Sequence, residues 1–183
     1  KKNPSLTVGG IAMPQTKNAP LNDPYADCKP AVASSRFSSE TWLRVGEHHF
    51  DYDVTPQGMD YAISAYKRVL VDPLDRNYNL ALYKLAWAYY RAFRYPEAVR
   101  NFAALVEWSD QEEKRTGRAG SELRAEAVQY LAIAFAYDDW NENQVPDPQE
   151  GGASGLQRLQ DPALMAQDRP WTPEVYQALG NVW

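Results

Sequence analysis

The residues best suited to chemistry are gathered in one polar stretch. Asp139, Asn141 and Asn143 alternate, and Asp147 and Glu150 follow. Counted from Asp139, side-chain oxygens fall at positions 1, 3, 5, 9 and 12, with the Val145 carbonyl at position 7. A loop wraps a calcium ion in this rhythm, because a hard cation collects oxygens from carboxylates, amides and carbonyls. Gln144 stands where the sharp turn favours glycine, and Pro146 follows. The stretch is therefore expected either to hold calcium as a structural ion or to be a solvated acidic loop between helices. Other chemistry is sparse. His48 and His49 are the only histidines, and neighbours on a helix point about 100° apart, so they are poorly placed to share a metal. No serine sits in a nucleophile-elbow pattern. Gly9-Gly10 and Gly151-Gly152 read as turns, not as phosphate-binding loops. No catalytic residue is assigned, and the chain is not expected to be an enzyme.

The totals agree. With 183 residues, 44% hydrophobic and 13% aromatic, the chain can bury one real core. A net charge of −5 argues against nucleic acid or an anionic membrane as the main partner. No apolar run approaches the ~18 residues of a membrane span. The chain starts at Lys1 without a signal-peptide pattern, so a processed or trimmed piece is expected. Cys28 is the single cysteine, which excludes an internal disulfide and suits either cytoplasm or periplasm.

The apolar spacing supplies helices to position these residues. Residues 1–37 are different: they contain Pro4, Pro14, Pro20, Pro24 and Pro30 and no lasting apolar period. They bury too little to offset their ordering entropy and are expected to form a flexible or surface-laid tail. From Ser38 a helix begins, with Trp42, Val45, Gly46 and His49 at helical spacing. A break at 55–58 precedes a second stripe of Tyr61, Ala62, Ala65, Tyr66, Val69 and Leu70, which Asp72-Pro73 ends. A third helix is expected over 77–93, through Leu82, Leu85, Ala86, Tyr89 and Phe93. A fourth carries Ala98, Phe102 and Leu105, with Pro96 suited to its first turn. Residues 109–120 read as a polar connection. Leu123, Ala127, Val128, Leu131, Ala132 and Phe135 make a fifth stripe, and the loop 138–152 follows. Two short helices are expected within 153–169, split at Asp161-Pro162, and Thr172-Pro173-Glu174 opens the last helix.

Paired in this way, the helices resemble the tetratricopeptide repeat (TPR) family, whose unit of about 34 residues is a helix hairpin. Leu82, Leu85, Ala86 and Tyr89, then Tyr95, Ala98, Phe102 and Leu105, match its order and spacing. Trp42, Val45, Gly46, His49, Ala62, Tyr66 and Val69 match with a longer turn. Val128, Leu131, Ala132 and Phe135 match a third first helix, and Tyr176, Leu179, Gly180 and Trp183 a fourth. The small residues Gly46, Ala86, Ala132 and Gly180 fall where the helices of a hairpin approach most closely. The long loop after Phe135 departs from the pattern. The resemblance implies an all-α, right-handed stack of antiparallel hairpins over 38–183, truncated from a longer array, behind a largely irregular tail. Residues 81–87 and 123–135 are further similar to long envelope TPR proteins of myxobacteria, including gliding-motility components.

Such an array leaves a groove lined by first helices. The resemblance thus implies a scaffold for other proteins within a larger assembly, with no cofactor beyond the calcium already considered. Its groove positions would be Glu40, Leu43, Glu47, Phe50 and Asp51 in the first unit, and Tyr83, Trp87, Tyr90 and Arg91 in the second. In the third they would be Glu126, Gln129, Ile133 and Tyr137. Tyr, Trp and Arg are enriched at binding hot spots. Aromatic stripes also pack on neighbouring helices, so Trp87 is expected in either the core or the groove, and Tyr90 and Arg91 exposed. The periplasm or cell envelope is the implied setting. A cytoplasmic adaptor or ligand-binding helical domain is one alternative. A self-assembly module, whose end repeats stack on other copies, is another.

Overall fold

Helices form wherever the apolar spacing calls for a buried stripe. The computed structural model describes residues 7–8, 11–12, 23–28, 37–55 and 57–182. Its helices are α1 (Ser38–Tyr52), α2 (Gly58–Val69), α3 (Tyr78–Arg91), α4 (Tyr95–Thr116), α5 (Arg124–Ala136), α6 (Gly155–Gln160) and α7 (Thr172–Val182). The short strands β1 (Thr7–Val8) and β2 (Ile11–Ala12) pair antiparallel, Thr7 opposite Ala12. The described residues are otherwise α-helical or irregular, apart from a single 3-10 turn at Asp147–Glu150.

Two boundaries differ from the sequence expectation. Helix α4 runs on through residues 109–116 and stops at Gly117, which is left-handed at φ 71°. Polar pairs one turn apart hold this extension: Arg115 donates to Glu112 at 2.8 Å and Gln111 to Glu107 at 2.8 Å. No apolar stripe is needed there. The second short helix after Asp161 does not form. The Asp161 carboxylate accepts the Ala163 N–H at 2.8 Å, and its carbonyl accepts from Leu164 and Met165. A side chain that competes for backbone donors favours a turn over a helix. By contrast α6 has a complete capping box, in which Ser154 and Gln157 exchange bonds of 2.7 and 3.3 Å.

The helices pack in chain order: α1 on α2, α2 on α3, α3 on α4, α4 on α5, and α5 on both α6 and α7. Only residues 92–94 join α3 to α4, and touching helices so joined run antiparallel. Leu82, Leu85, Ala86 and Tyr89 of α3 and Tyr95, Ala98, Phe102 and Leu105 of α4 are all buried. Each large apolar side chain among them contributes about 1.5–3 kcal/mol. At Gly46 the helices touch: a Cβ there would lie 2.4 Å from the Tyr66 ring. Nothing lies within 4 Å of the Cβ position of Gly180, because no described helix covers that side of α7. Leu43, expected in the groove, is a core residue, because it shares with Gly46 the face that α2 covers.

Part of the expected tail is docked. The Tyr25 ring meets Trp42 edge-on at 5.1 Å. Arg68 of α2 donates to Asp23 at 3.2 Å and to the Tyr25 carbonyl, and lies 5.0 Å over the Trp42 ring. A few specific contacts therefore fix residues 23–28 on the first hairpin without any apolar period. Most of the remaining expected tail lies outside the described residues.

Arg124 ties three helices together. It donates to Asp110 of α4, and to Glu174 of α7 at 2.8 and 2.9 Å. The bonds to Glu174, then those to Asp110, raise its pKa further above the ordinary arginine range. In return Arg124 lowers that of Glu174.

Gly46→Ala is expected to destabilise the chain by about 1–3 kcal/mol through overpacking against Tyr66; an unchanged urea midpoint would refute the close approach. Arg124→Met is expected to speed amide exchange in α7 while leaving α3 and α4 protected. Undiminished protection of α7 would show that the clamp is idle.

Candidate functional site

Beyond its buried stripe, α3 carries Tyr83, Trp87 and Tyr90 on one side, with Arg91 beside them. Helix α5 and the residue after it answer with Glu126, Tyr130, Ile133 and Tyr137 at the same spacing. The Tyr83 hydroxyl donates to Glu126 at 2.8 Å. The Trp87 ring meets Tyr130 edge-on with centroids 4.5 Å apart, and Tyr90 at 5.5 Å. Beneath them lies Phe102 of α4, 6.0 Å from Trp87 and 6.1 Å from Tyr130. The row continues from Tyr90 to Tyr95 at 5.4 Å and from Tyr95 to Tyr137 at 4.8 Å. Trp87 is thus half-buried, with one edge on the core and one on the surface. Burial first, and the Glu126 bond second, push the Tyr83 hydroxyl up to about 12. It stays a neutral donor at physiological pH.

The other expected groove residues are spread around this row. Arg91 is exposed at the edge facing α1, where it donates to the Phe50 carbonyl at 2.6 Å and lies 4.4 Å over the Phe50 ring. Glu47 is at the same edge, accepting from Arg44 at 2.7 Å with Lys84 at 3.9 Å. Gln129 stands apart from the aromatic row. It lines a 380 Å³ cleft between α5 and α7, with Val128, Ile133, Ala178 and Val182. Tyr130, which joins the row of α3 to α5, was not among the expected residues. Its position four residues after Glu126 was the available signal.

The acidic loop is closely ordered. The Asp139 carboxylate accepts the N–H groups of Asn143 and Gln144 at 3.1 and 3.0 Å. Asn141 accepts from the Asn143 N–H at 3.0 Å, and Asn143 from the Val145 N–H at 2.8 Å. Both asparagine side chains donate to Glu150, at 3.3 and 2.6 Å. Glu142 and Gln144 sit at φ 61° and 68°, so the sharp turn forms without glycine. Asp147 points inward, accepting the Trp140 N–H at 3.1 Å and an ion pair from Arg158. Arg158 has no counterpart in the sequence expectation. It lies 4.4 Å over the Trp140 ring and donates to the Tyr137 carbonyl at 2.5 Å. Among the described residues, no group of three or more His, Cys, Asp and Glu side chains is placed to hold a metal ion.

His48 and His49 do not converge on a common ligand. The Asp53 carboxylate only accepts, so His49 Nδ1 donates to it at 2.8 Å. In the neutral ring Nε2 then accepts from the Tyr25 hydroxyl at 2.7 Å. No helix among the described residues is long and apolar enough to cross a membrane. Compared with known proteins, the chain matches no family model, no curated protein and no solved structure.

The Thr55 hydroxyl, then His49, then the Thr55 N–H hold the Asp53 carboxyl down at about 2. A depressed acid stabilises the fold above its unfolded pKa, and that contribution fades as pH falls from about 4 towards 2. Thr55→Val is expected to move the Asp53 titration, followed by carbon NMR, back towards the ordinary range. An unmoved titration would place the cause elsewhere.

Proposed function

We propose that the chain is a non-catalytic scaffold that binds another protein through the aromatic row of α3 and α5. One observation carries this reading: Tyr83, Trp87, Tyr90, Tyr130 and Tyr137 form a continuous, partly exposed row braced on buried Phe102 and Tyr95. Tyr and Trp give large contact area with few rotatable bonds, and each keeps a polar tip for hydrogen bonding. Rings already packed on one another lose little further freedom on binding. Arg91 adds an exposed guanidinium at one end of the row. The carboxylates nearby are engaged, Glu126 by Tyr83 and Glu47 by Arg44, which suits a contact surface better than an acid–base centre.

In the finer form of this reading, the hairpins are TPR units in a right-handed stack, part of a longer array. An envelope assembly, such as a gliding-motility complex, is the setting that the family resemblance implies, and a cytoplasmic adaptor is the alternative. A self-assembly module is the second reading, favoured by the α5–α7 cleft and its partly exposed Ile133 and Val182.

Affinity capture from a lysate of the source organism tests the first reading. Wild type is compared with a Tyr90→Ala, Arg91→Glu double variant of equal helix content by circular dichroism. A partner held at least ~10-fold more by wild type is expected from a hot-spot loss. Equal capture by both would remove the aromatic row as the surface. Light scattering over a dilution series tests the second: a mass that stays above that of one chain on dilution would favour self-assembly.

A further inference from the structure

We propose that the first hairpin carries a docking pocket for a short segment of another protein, one with a carboxylate two residues before a tyrosine. The chain's own Asp23 and Tyr25 occupy this pocket as a tethered ligand. It shares no residue with the aromatic row of α3 and α5, so the two surfaces stand or fall separately. Trp42 and His49 are two helical turns apart on α1, and Tyr61 and Arg68 two turns apart on α2. Each pair therefore lies on one side of its helix. Together the four line the seat of the Tyr25 ring. Trp42 meets the ring edge-on at 5.1 Å, and His49 and Tyr61 lie at 6.3 and 6.2 Å. The Arg68 guanidinium is 5.7 Å over it. His49 and Tyr61 also meet each other edge-on at 5.0 Å, which joins the α1 and α2 sides of the seat.

The contacts read distinct features of the occupant. His49 Nε2 accepts from the Tyr25 hydroxyl at 2.7 Å, and the ring is oriented by Nδ1, which donates to Asp53 at 2.8 Å. Asp53 is itself fixed by the Thr55 hydroxyl at 2.6 Å. A phenylalanine in the seat would leave the His49 acceptor unmet. Arg68 donates to the Asp23 carboxylate at 3.2 Å and to the Tyr25 carbonyl, so one guanidinium reads side chain and main chain together. The Asp23 carboxylate also accepts the Tyr25 N–H at 3.0 Å, which sets the bend between the two recognised residues. The rest of the segment adds little, since Pro24, Ala26, Asp27 and Cys28 are exposed. The Asp23–Arg68 pair is itself partly exposed, where ion pairs are weak. Two side chains thus hold the segment, and a competitor that supplies the same two can displace it. Tethering gives the resident segment an effective concentration of roughly millimolar order, which sets the threshold a competitor must pass. A second copy of the chain competes poorly, because its own Tyr25 is already seated at home. A different protein, with no pocket of its own for the segment, does not bear that cost.

The test uses the full chain carrying Tyr25→Ala, with helix content checked by circular dichroism, and a synthetic peptide of residues 21–27 as the probe. In calorimetry the variant is expected to bind the peptide at least ~10-fold more tightly than wild type, whose own segment competes. Tyr25→Phe in the peptide, or Arg68→Met added to the variant chain, is expected to weaken binding at least ~5-fold. Absence of binding to the Tyr25→Ala chain up to roughly millimolar peptide would overturn the pocket. Equal affinity for the tyrosine and phenylalanine peptides would do the same. If Tyr25→Ala fails to fold, the wild type decides by NMR. Excess peptide is expected to shift the His49 ring signals, and unmoved signals overturn the pocket. Light scattering separates the sources of the segment: a two-chain mass in wild type that Tyr25→Ala abolishes would overturn a foreign partner in favour of a second copy.

Discussion

The ring of Phe102, wholly buried on α4, is the wall on which the candidate face rests. Tyr83, Trp87 and Tyr130 all lie against it, with centroids 6.3, 6.0 and 6.1 Å away. Their other edges reach the surface, so one core ring sets the spacing between α3 and α5. Edge-on aromatic pairs add about 0.5–1.5 kcal/mol each beyond simple burial, and the row contains several. The surface rings are therefore not loose side chains that happen to be exposed. They are the outer rim of the core, and their geometry is inherited from it.

Electrostatics does a separate task at the other end of α5. Arg158, buried on α6, would be costly as an isolated charge. Four features compensate it: the Asp147 carboxylate, the Tyr137 carbonyl, the face of Trp140, and a position close to the acidic loop. Through them the short α6 is fixed to the end of α5 although the intervening chain is mostly irregular. Trp140, stacked on Phe135 at 6.2 Å and on Tyr95 at 5.8 Å, carries that anchorage back to the aromatic core.

What could be read from sequence follows from which forces were local. The Leu82–Leu105 pairing was legible because each of its apolar positions is buried and recurs at helical spacing. The close approach at Gly46 was legible because only a small residue fits under Tyr66. At Gly180 the same signal has no described helix to answer it. The extension of α4 was hidden because polar pairs, not an apolar stripe, sustain it. The docking of Tyr25 and the Arg158–Asp147 pair have no period at all. They join residues 24 and 11 positions apart in sequence, and only the folded chain brings them together. The face on α3 was anticipated in its members, but Tyr130 and the supporting role of Phe102 required the packing of three helices.

Packing in chain order has a kinetic meaning. Most interfaces here join helices adjacent in sequence, so the loops that must close during folding are short and their entropy cost is small. Such a chain can begin at a deeply buried hairpin such as α3–α4 and grow outwards from it. The ends are then the natural places for reversible fraying. The α1–α2 end is held by Arg68 and Tyr25, and the α7 end by Arg124. Partial unfolding becomes a graded property of position along the chain, with the shared wall at Phe102 the last part to open.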